Sequence, residues 1–263
     1  WEGERLAGAN IVELPVRSLS NHGKLRSFHK LLHKALQNRH YDVLVGFKRL
    51  PDLDVYYNGD VCFVGEAHNK HGAWYRLTAR YRLMSRFERA VFSPDSLTRI
   101  MYIAQREKEI YQRYYSTPEN RFFELPAGID KVAIREAVAS GERQTLRNAQ
   151  ALDEANIVLL MVGSDFARKG VDRSIRALAA LPPELLARVR LWVVGAGDQS
   201  GLTSLAQRLG VTRQMKFWGA RSDVPAILAA SDVLLHPARV ETAGNAILEA
   251  MVAGLPVMVS ASA

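Results

Sequence analysis

The sequence predicts an α/β protein built from two Rossmann-like lobes, each with a parallel sheet. A length of 263 residues exceeds what one hydrophobic core usually supports, so two domains are expected. From about residue 151, apolar runs of four to six residues alternate with amphipathic stretches, which is typical of a doubly wound parallel sheet. A Pro-Ala-Gly-Ile-Asp turn at 126–130 predicts a division into lobes 1–126 and 127–263.

In the second lobe, short apolar runs predict strands, and apolar residues at helical spacing predict helices. The predicted strands are 157–162, 191–194, 215–218, 233–235 and 256–259. The predicted helices include 171–181, 201–209 and about 243–253. Residues 131–155 are expected to form an exposed, polar helical connection. Ligands bind at the carboxyl ends of such strands, so the site is expected there.

The first lobe is less regular. Its predicted strands are 10–16, 43–46, 61–64 and 99–103, and its predicted helices are 25–38, 72–92 and 105–115. The chain begins at Trp1 without a Met and ends in a run, 257–263, that predicts a strand. We therefore expect both ends to be truncated, with the first strand–helix unit of the first lobe absent.

Composition narrows the class of protein. An apolar fraction of 48% with 24% charged residues is ordinary for a globular protein, and no apolar run approaches the ~20 residues that cross a bilayer. The single cysteine, Cys62, fits a reducing cytoplasm. The net charge is +8, and residues 1–126 hold 20 Lys and Arg against 14 Asp and Glu. The first lobe therefore suits an anionic partner: nucleic acid, an anionic membrane or a phosphorylated acceptor.

Two loops at predicted strand ends carry unusual residues. Arg168 and Lys169 stand in a glycine-bounded loop at a helix start, where fixed cations and free amides suit a pyrophosphate. The alternative is a solvated pair of cations.

In the second loop, Thr242 is expected to cap a helix whose free amides lie near Gly244 and Asn245. Glu241 and Glu249 suit sugar or ribose hydroxyls, and Glu249 stands among apolar residues, where a carboxylate needs a partner.

These loops carry a resemblance. Glu241 and Glu249 are separated by seven residues, as in the E-x7-E motif of retaining GT-B glycosyltransferases of family 4. The sequence is most similar to the lipopolysaccharide core glucosyltransferases that transfer glucose from UDP-glucose to a heptose. The matching stretches are 45–47, 53–56, 60–62, 75–78, 80–82, 87–90, 162–175, 234–238, 248–250 and 253–257.

The resemblance implies a donor-binding set: Gly163, Ser164, Arg168, Lys169, Arg221, Glu241, Gly244, Asn245, Ala246 and Glu249. Arg168 and Lys169 would hold the diphosphate, Glu249 the ribose and Glu241 the transferred sugar, while the segment ending at Arg221 would face the uracil. Many family members have Arg where this chain has Ser164, so Arg168 must take that role. The implied catalytic set is Asp60, Arg168, Lys169 and Glu241, with Asp60 as an acceptor-side or sugar-contacting residue.

The expected mechanism needs no metal or cofactor, because Arg168 and Lys169 neutralise the charge that grows on the leaving diphosphate. Asp52 and Asp54 have an Asp-x-Asp spacing, but a metal role is not favoured for them. The resemblance implies retention of configuration, and the sequence offers no evident nucleophile. Front-face attack by the acceptor hydroxyl is therefore the hypothesis.

Residues 71–89 contain five arginines and one acid. On a helical wheel Trp74, Leu77, Tyr81, Met84 and Val91 share a stripe opposite Arg82, Arg86 and Arg89. The helix either packs on the core with a solvated basic face or lies on an anionic membrane. The anionic core of a lipopolysaccharide acceptor is a third partner that the same charges would suit. The resemblance favours the membrane, at the cytoplasmic face of the inner membrane. The residues assigned to that contact are Trp74, Arg76, Arg80, Arg82, Arg86 and Arg89.

Alternatives remain open. Another donor sugar or acceptor, or a UDP-sugar epimerase, fits the same motifs. A nucleic-acid-binding protein predicts cations and aromatic residues interleaved over a sheet or groove, whereas here they fall on one helix.

Overall fold

The structure is a computed structural model that describes residues 8–37, 39–126, 128–241 and 243–261. The chain divides into two compact units, Trp1–Pro126 and Ala127–Ala263. Each unit has its own sheet, and every paired strand in both sheets is parallel. The predicted α/β class with two parallel sheets is therefore confirmed.

The described part of the first unit has a four-stranded sheet in chain order. Its strands are β1 (Val45–Gly46), β2 (Val55–Asn58), β3 (Arg99–Tyr102) and β4 (Phe122–Glu124). Its helices are α1 (Asn21–Leu36), α2 (Phe63–Lys70), α3 (Ala79–Phe92) and α4 (Gln105–Tyr115), with 3₁₀ turns at Ala73–Leu77 and Glu119–Arg121. Aromatic rings dominate the core, where Phe92 stacks on Tyr111 with ring centres 3.7 Å apart.

The described part of the second unit has a five-stranded sheet in the order β7-β6-β5-β8-β9. Its strands are β5 (Ile157–Val162), β6 (Val189–Val194), β7 (Met215–Gly219), β8 (Val233–His236) and β9 (Val257–Val259). Its helices are α5 (Lys131–Ala139), α6 (Glu142–Ala149), α7 (Phe166–Lys169), α8 (Val171–Ala179), α9 (Pro183–Arg188), α10 (Ser200–Arg208), α11 (Val224–Ala230) and α12 (Asn245–Val252), with a 3₁₀ turn at Thr212–Gln214. Every strand predicted here is present within two residues of its expected bounds.

The prediction of an exposed connection at 131–155 is wrong. Ile134 and Leu152 are buried in the core of the second unit. Arg147 is also buried, and it donates hydrogen bonds to the carbonyls of Asp153 and Asn156, each at 2.7 Å. Helices α5 and α6 are therefore part of this unit.

Two predicted strands of the first unit are also wrong. Residues 10–16 have no regular secondary structure. At 61–64, α2 begins at Phe63, because the N–H groups of Phe63 and Val64 donate to the carboxylate of Glu88, at 2.7 and 2.9 Å. A partner 24 or 25 residues away thus satisfies the helix start, which a local pattern does not reveal.

The helix predicted at 72–92 is interrupted. Thr78 is extended, with ψ 147°, and its hydroxyl accepts a hydrogen bond from the N–H of Tyr81 at the start of α3. The break changes the helical register, so the predicted apolar stripe is wrong at Trp74 and Leu77, which are exposed. The buried face of α3 is instead formed by Leu83, Phe87, Glu88, Val91 and Phe92.

Candidate functional site

The strand order of the second unit fixes where a ligand site is expected. Strands β5 and β8 are neighbours, and the chain leaves them toward opposite halves of the sheet. Such a switch point opens a crevice at the carboxyl ends of the strands. The segment after β5, which includes the short helix α7, carries Arg168 and Lys169, and the loop after β8 carries Glu241.

Glycines allow the two loops to approach each other closely. Gly170 has φ 74°, and a Cβ there would lie 2.2 Å from the carbonyl oxygen of Pro237 in the other loop. A Cβ on Gly163, where φ is 151°, would lie 2.8 Å from Cε of Lys169. Any larger residue at either position therefore has to displace the loop or the lysine.

Glu241 is the centre of a cluster of charged side chains. Lys169 Nζ contacts Oε2 of Glu241, and His236 Nε2 lies 2.7 Å from the same oxygen. Arg168 Nη1 lies 3.7 Å from Oε1 and donates to the carbonyl of Val240 at 3.1 Å. The structure therefore brings together three predicted site residues, Arg168, Lys169 and Glu241. Arg168 is the most exposed of them, at 39% of its side chain.

The support of this cluster includes residues that the sequence analysis did not single out. Arg239 forms two parallel hydrogen bonds to Asp172, at 2.9 and 2.8 Å, and its N–H donates to the carbonyl of Arg168 at 2.8 Å. The hydrogen bond from Arg239 lowers the pKa of Asp172. The pair of Arg239 and Asp172 joins the segment after β5 to the loop after β8. In the sequence, only the position of these two residues close to Arg168, Lys169 and Glu241 pointed to them. His236, at the end of β8, is buried and contacts Glu241.

Helix α12 presents the second glutamate. Gly244 occupies the N-cap with φ 62°, and Asn245 and Ala246 form the first turn, whose N–H groups have no intrahelical partner. The predicted cap, Thr242, lies outside the described residues. Burial raises the pKa of Glu249, and its carboxylate has no hydrogen bond or ion pair within the described ranges. A half-buried carboxylate of this kind suits a ligand hydroxyl.

Two further residues of the predicted donor-binding set, Ser164 and Arg221, form no hydrogen bond or ion pair with the Glu241 cluster in the described part of the chain. Ser164 is exposed in the loop after β5. The guanidinium of Arg221 pairs with Asp223 through bonds of 2.7 and 2.5 Å and stands 5.3 Å from the ring centre of Trp218. The side chain of Arg221 is thus held by its own loop. The backbone of that loop is therefore the part that we expect to face the uracil.

In the first unit, Asp60 follows β2 beside a buried polar network. Its carboxylate lies 3.5 Å from the hydroxyl of Tyr56 and 3.9 Å from Nη2 of Arg49, and its side chain is 36% exposed. Arg49 also contacts the fully buried Glu88 and donates to the carbonyl of Val61. Burial alone would lower the pKa of Arg49, but Tyr111 and Glu88 raise it, so Asp60 faces a permanent cation.

The residues assigned to a membrane contact are on the surface. Trp74 is 83% exposed, and all five arginines are exposed. Within the described part of the chain, the guanidinium groups of these arginines make no ion pair or hydrogen bond: Arg76, Arg80, Arg82, Arg86 and Arg89. A search of the described residues found no helix with the length and apolar character that a membrane span requires.

The Asp-x-Asp spacing of the first unit has a structural use. A carboxylate oxygen of Asp54 accepts from the N–H of Leu44 at 2.7 Å. Over the described ranges, no three His, Cys, Asp or Glu side chains are grouped as metal ligands would be.

Comparisons with known proteins agree with this geometry. Residues 142–263 match the family model described as "Glycosyl transferases group 1". The chain is 40% identical over 261 residues to the lipopolysaccharide glucosyltransferase WaaG of Escherichia coli K12, which covers 99% of this chain and 70% of that protein. It is 37% identical over 102 residues to the lipopolysaccharide core biosynthesis glycosyltransferase LpsE of Rhizobium meliloti, covering 38% of this chain and 28% of that one.

Solved structures give the same result. The crystal structure of WaaG matches with a TM-score of 0.93 and 39% identity, over 100% of this chain and 71% of that chain. HepE of Anabaena in complex with UDP matches with a TM-score of 0.67 and 22% identity, over 89% of this chain and 64% of that chain, which supports the fold alone. The predicted GT-B fold is confirmed by the first match.

Proposed function

The chain belongs to the group 1 glycosyl transferases, and from that membership we propose that it transfers glucose from UDP-glucose to a heptose of the lipopolysaccharide inner core. The relative WaaG is named a lipopolysaccharide glucosyltransferase. The observation that carries the proposal is the cluster in which Arg168 and Lys169 meet Glu241 at the carboxyl ends of β5 and β8.

The cluster suits a nucleotide sugar. The cations lie in the last turn of α7, directly before α8 begins at Val171, and they supply charge to a diphosphate leaving group as it becomes more negative. Glu241 and Glu249 are hydrogen-bond acceptors, which hydroxyls require. Glu249, half-buried and without a described partner, is assigned to the ribose, and Glu241 to the transferred sugar.

We propose that transfer retains the configuration at the anomeric carbon and proceeds by front-face attack of the acceptor hydroxyl. The bond from the anomeric carbon to the UDP oxygen breaks, the bond to the acceptor oxygen forms on the same face, and the acceptor proton leaves with the diphosphate. Asp60 is assigned to the acceptor side. Anomer-resolved NMR of the product tests this: an α-linked product is expected, and a β-linked one would exclude the retaining mechanism.

Two cations beside the leaving group also lead us to propose that no metal or cofactor is needed. Turnover in EDTA is expected to equal turnover in Mg²⁺ within about twofold. A loss of ten-fold or more that Mg²⁺ restores would contradict this assignment.

The positive charge of the first unit supports a location at an anionic membrane. We propose a peripheral contact with the anionic cytoplasmic face of the inner membrane through Trp74 and the five exposed arginines, each cation near the surface contributing about 1 kcal/mol. The protein should float with liposomes that contain anionic lipid and remain behind with neutral ones. Equal flotation with both would eliminate the electrostatic contact.

The experiment that tests the donor is a binding titration with UDP-glucose, UDP-N-acetylglucosamine and GDP-mannose, followed by turnover with a heptose-containing acceptor. UDP-glucose is expected to bind at least about ten-fold more tightly than GDP-mannose and to be the best substrate. Preference for another donor would favour a different glycosyltransferase of this fold. Conversion of the UDP-sugar without an acceptor would favour an epimerase.

A further inference from the structure

A small cavity lies in the first unit, apart from the residues assigned to the donor. Its volume is about 220 Å³, and we call it the Arg80 cavity after its defining residues Arg49, Phe63, Lys70, His71, Tyr75 and Arg80. Ligand pockets for drug-sized molecules span roughly 300–1,000 Å³. The Arg80 cavity is therefore too small for a nucleotide sugar and suits one charged group or one sugar ring.

The charge of the lining is positive. The charged side chains that line it are Arg49, Lys70 and Arg80 against the single acid Glu66, which is a surplus of two positive charges. Lys70 is paired with Glu66, and Arg49 is held by Glu88. Arg80 has no ion pair or side-chain hydrogen bond within the described ranges. The guanidinium of Arg80 is therefore available to an anion.

The rings of Phe63, His71 and Tyr75, together with Val61 and Ala67, form the rest of the wall. His71 stacks on Tyr75 with ring centres 4.1 Å apart, and Phe63 lies 6.5 Å from Tyr75 and 5.8 Å from Tyr81. The turn Ala73–Leu77 and the extended Thr78 place these rings beside Arg80. A guanidinium without a partner forms strong, often bidentate hydrogen bonds with a carboxylate or a phosphate. The adjacent rings offer apolar contact to the carbon skeleton that carries such a group.

Arg49 connects this cavity to the predicted acceptor side. Its guanidinium lines the cavity, donates to the carbonyl of Val61 at 3.2 Å and lies 3.9 Å from Asp60. An anionic group in the cavity is thus one side chain away from Asp60. The group and the hydroxyl that accepts the sugar are therefore expected to belong to the same saccharide.

We propose that the Arg80 cavity binds an anionic group, a carboxylate or a phosphate, of the acceptor saccharide and so selects acidic acceptors. This rests on the proposed function, because it assigns a charged subsite to the acceptor of that reaction. A phosphate of a membrane lipid has the same chemistry, so the test separates the two sources.

The test compares Arg80→Ala with Arg82→Ala, an exposed arginine of the same helix that does not line the cavity. The probe is de-acylated lipopolysaccharide core oligosaccharide in two forms. The acidic form keeps its carboxylates and phosphates, and in the neutralised form the carboxyl groups are reduced and the phosphates are removed. Titration calorimetry should show that R80A weakens binding of the acidic form by roughly 10-fold or more, since hydrogen bonds to charged groups contribute about 1.5–3 kcal/mol. R82A should change it by less than about twofold, and Arg80→Lys should recover part of the loss.

Several results would overturn the proposal. One is that R80A and R82A lose the same affinity for the acidic oligosaccharide. Another is that R80A loses as much affinity for the neutralised oligosaccharide as for the acidic one. In a parallel arm, vesicles that contain anionic lipid are floated with both variants, and similar reductions are expected. If R80A alone loses vesicle binding and keeps its affinity for the oligosaccharide, the cavity binds a lipid phosphate instead. UDP-glucose binding and transfer by the unsubstituted protein are measured separately, so a failure of glucosyl transfer is distinct from a failure of charge selection.

Discussion

The two units each contain a carboxylate that is almost inaccessible to water, and the two differ in what surrounds them. Glu88 of the first unit is fully buried and accepts from the N–H groups of Phe63 and Val64, from the hydroxyl of Tyr115 at 2.7 Å, and from Arg49. Glu241 of the second unit has 8% of its side chain exposed, and its contacts include the side chains of Lys169, His236 and Arg168.

The difference is consistent with a structural role for Glu88 and with the ligand-binding role that we propose for Glu241. Backbone N–H groups cannot move without unwinding the first turn of α2, so Glu88 is fixed by the fold. Long cationic side chains can exchange one anion for another, because each has several rotatable bonds. Both carboxylates are buried and paired with cations, but only Glu241 is held mainly by side chains that can rearrange, which supports the proposal that it meets a substrate.

The largest effect is expected from Glu88→Gln. The substitution removes the buried carboxylate that pairs with Arg49, leaves that cation only the more distant Asp60 at 3.9 Å, and turns an amide NH₂ toward backbone donors. It should therefore lower the free energy of unfolding by about 3–5 kcal/mol. Urea unfolding measures this, and amide hydrogen exchange at Phe63 and Val64 should accelerate. The control is Glu66→Gln, whose pair with Lys70 is an exposed i,i+4 pair, with an expected change below about 0.5 kcal/mol. Similar losses in both variants would remove the distinction drawn for Glu88.

The next effect is expected from Lys169→Ala, on catalysis rather than on folding. Loss of a charge that stabilises the leaving group should lower kcat/KM by roughly 10²–10³-fold, which corresponds to about 2.7–4 kcal/mol. The matched control is Arg176→Ala, an exposed cation of α8 without an ion pair in the described part of the chain. If K169A retained activity and mainly lost stability, Glu241 would be a structural carboxylate like Glu88.

Glu249→Gln is expected to change affinity and stability in opposite directions. Loss of the charged carboxylate, which would accept hydrogen bonds from the ribose, should weaken UDP binding by about ten-fold or more. Because burial raises the pKa of Glu249 in the folded state, the folded state holds its proton more tightly than the unfolded state does. The ionised carboxylate therefore costs stability, and this cost appears as the pH rises through the folded pKa.

The thermal unfolding of E249Q should accordingly reveal a small gain near neutral pH, up to about 0.5 kcal/mol, that disappears at pH values below the ordinary pKa of a glutamate. Unfolding curves across this pH range, with and without UDP, provide the measurement. A variant that is less stable at neutral pH would mean that Glu249 already has a stabilising partner.

The same comparison explains what the sequence could predict. In the second unit, continuous apolar strands such as Ile157–Val162 are followed by a glycine, and this local pattern determines the strands and therefore the segments that carry Arg168, Lys169 and Glu241. The pairing of His236 with Glu241 joins a strand residue to a loop residue and has no periodic signal.

In the first unit the decisive contacts are long-range. The start of α2 depends on Glu88, and the N–H of Cys62 donates to Glu107 at 3.1 Å, 45 residues away. A window of neighbouring residues contains neither partner, so the apolar run at 61–64 predicts a strand. The break at Thr78 does have a local indication, because a threonine followed by helix-forming residues is typical of a helix start. The apolar stripe that a continuous helix would have over 72–92 favours the opposite prediction.

The smallest effect is expected from Thr78→Ala, and it separates a local helix cap from the long-range cap at Glu88. The Thr78 hydroxyl accepts from the N–H of Tyr81 at 3.1 Å and donates to the carbonyl of Tyr75 at 2.8 Å. Its loss should cost about 1 kcal/mol, measured by urea unfolding. The control is Ser85→Ala, since Ser85 bonds to the carbonyl of Tyr81 inside α3 and alanine favours a helix interior. Equal stabilities of the two variants would show that packing of Leu83 and Phe87, rather than the cap, sets where α3 begins.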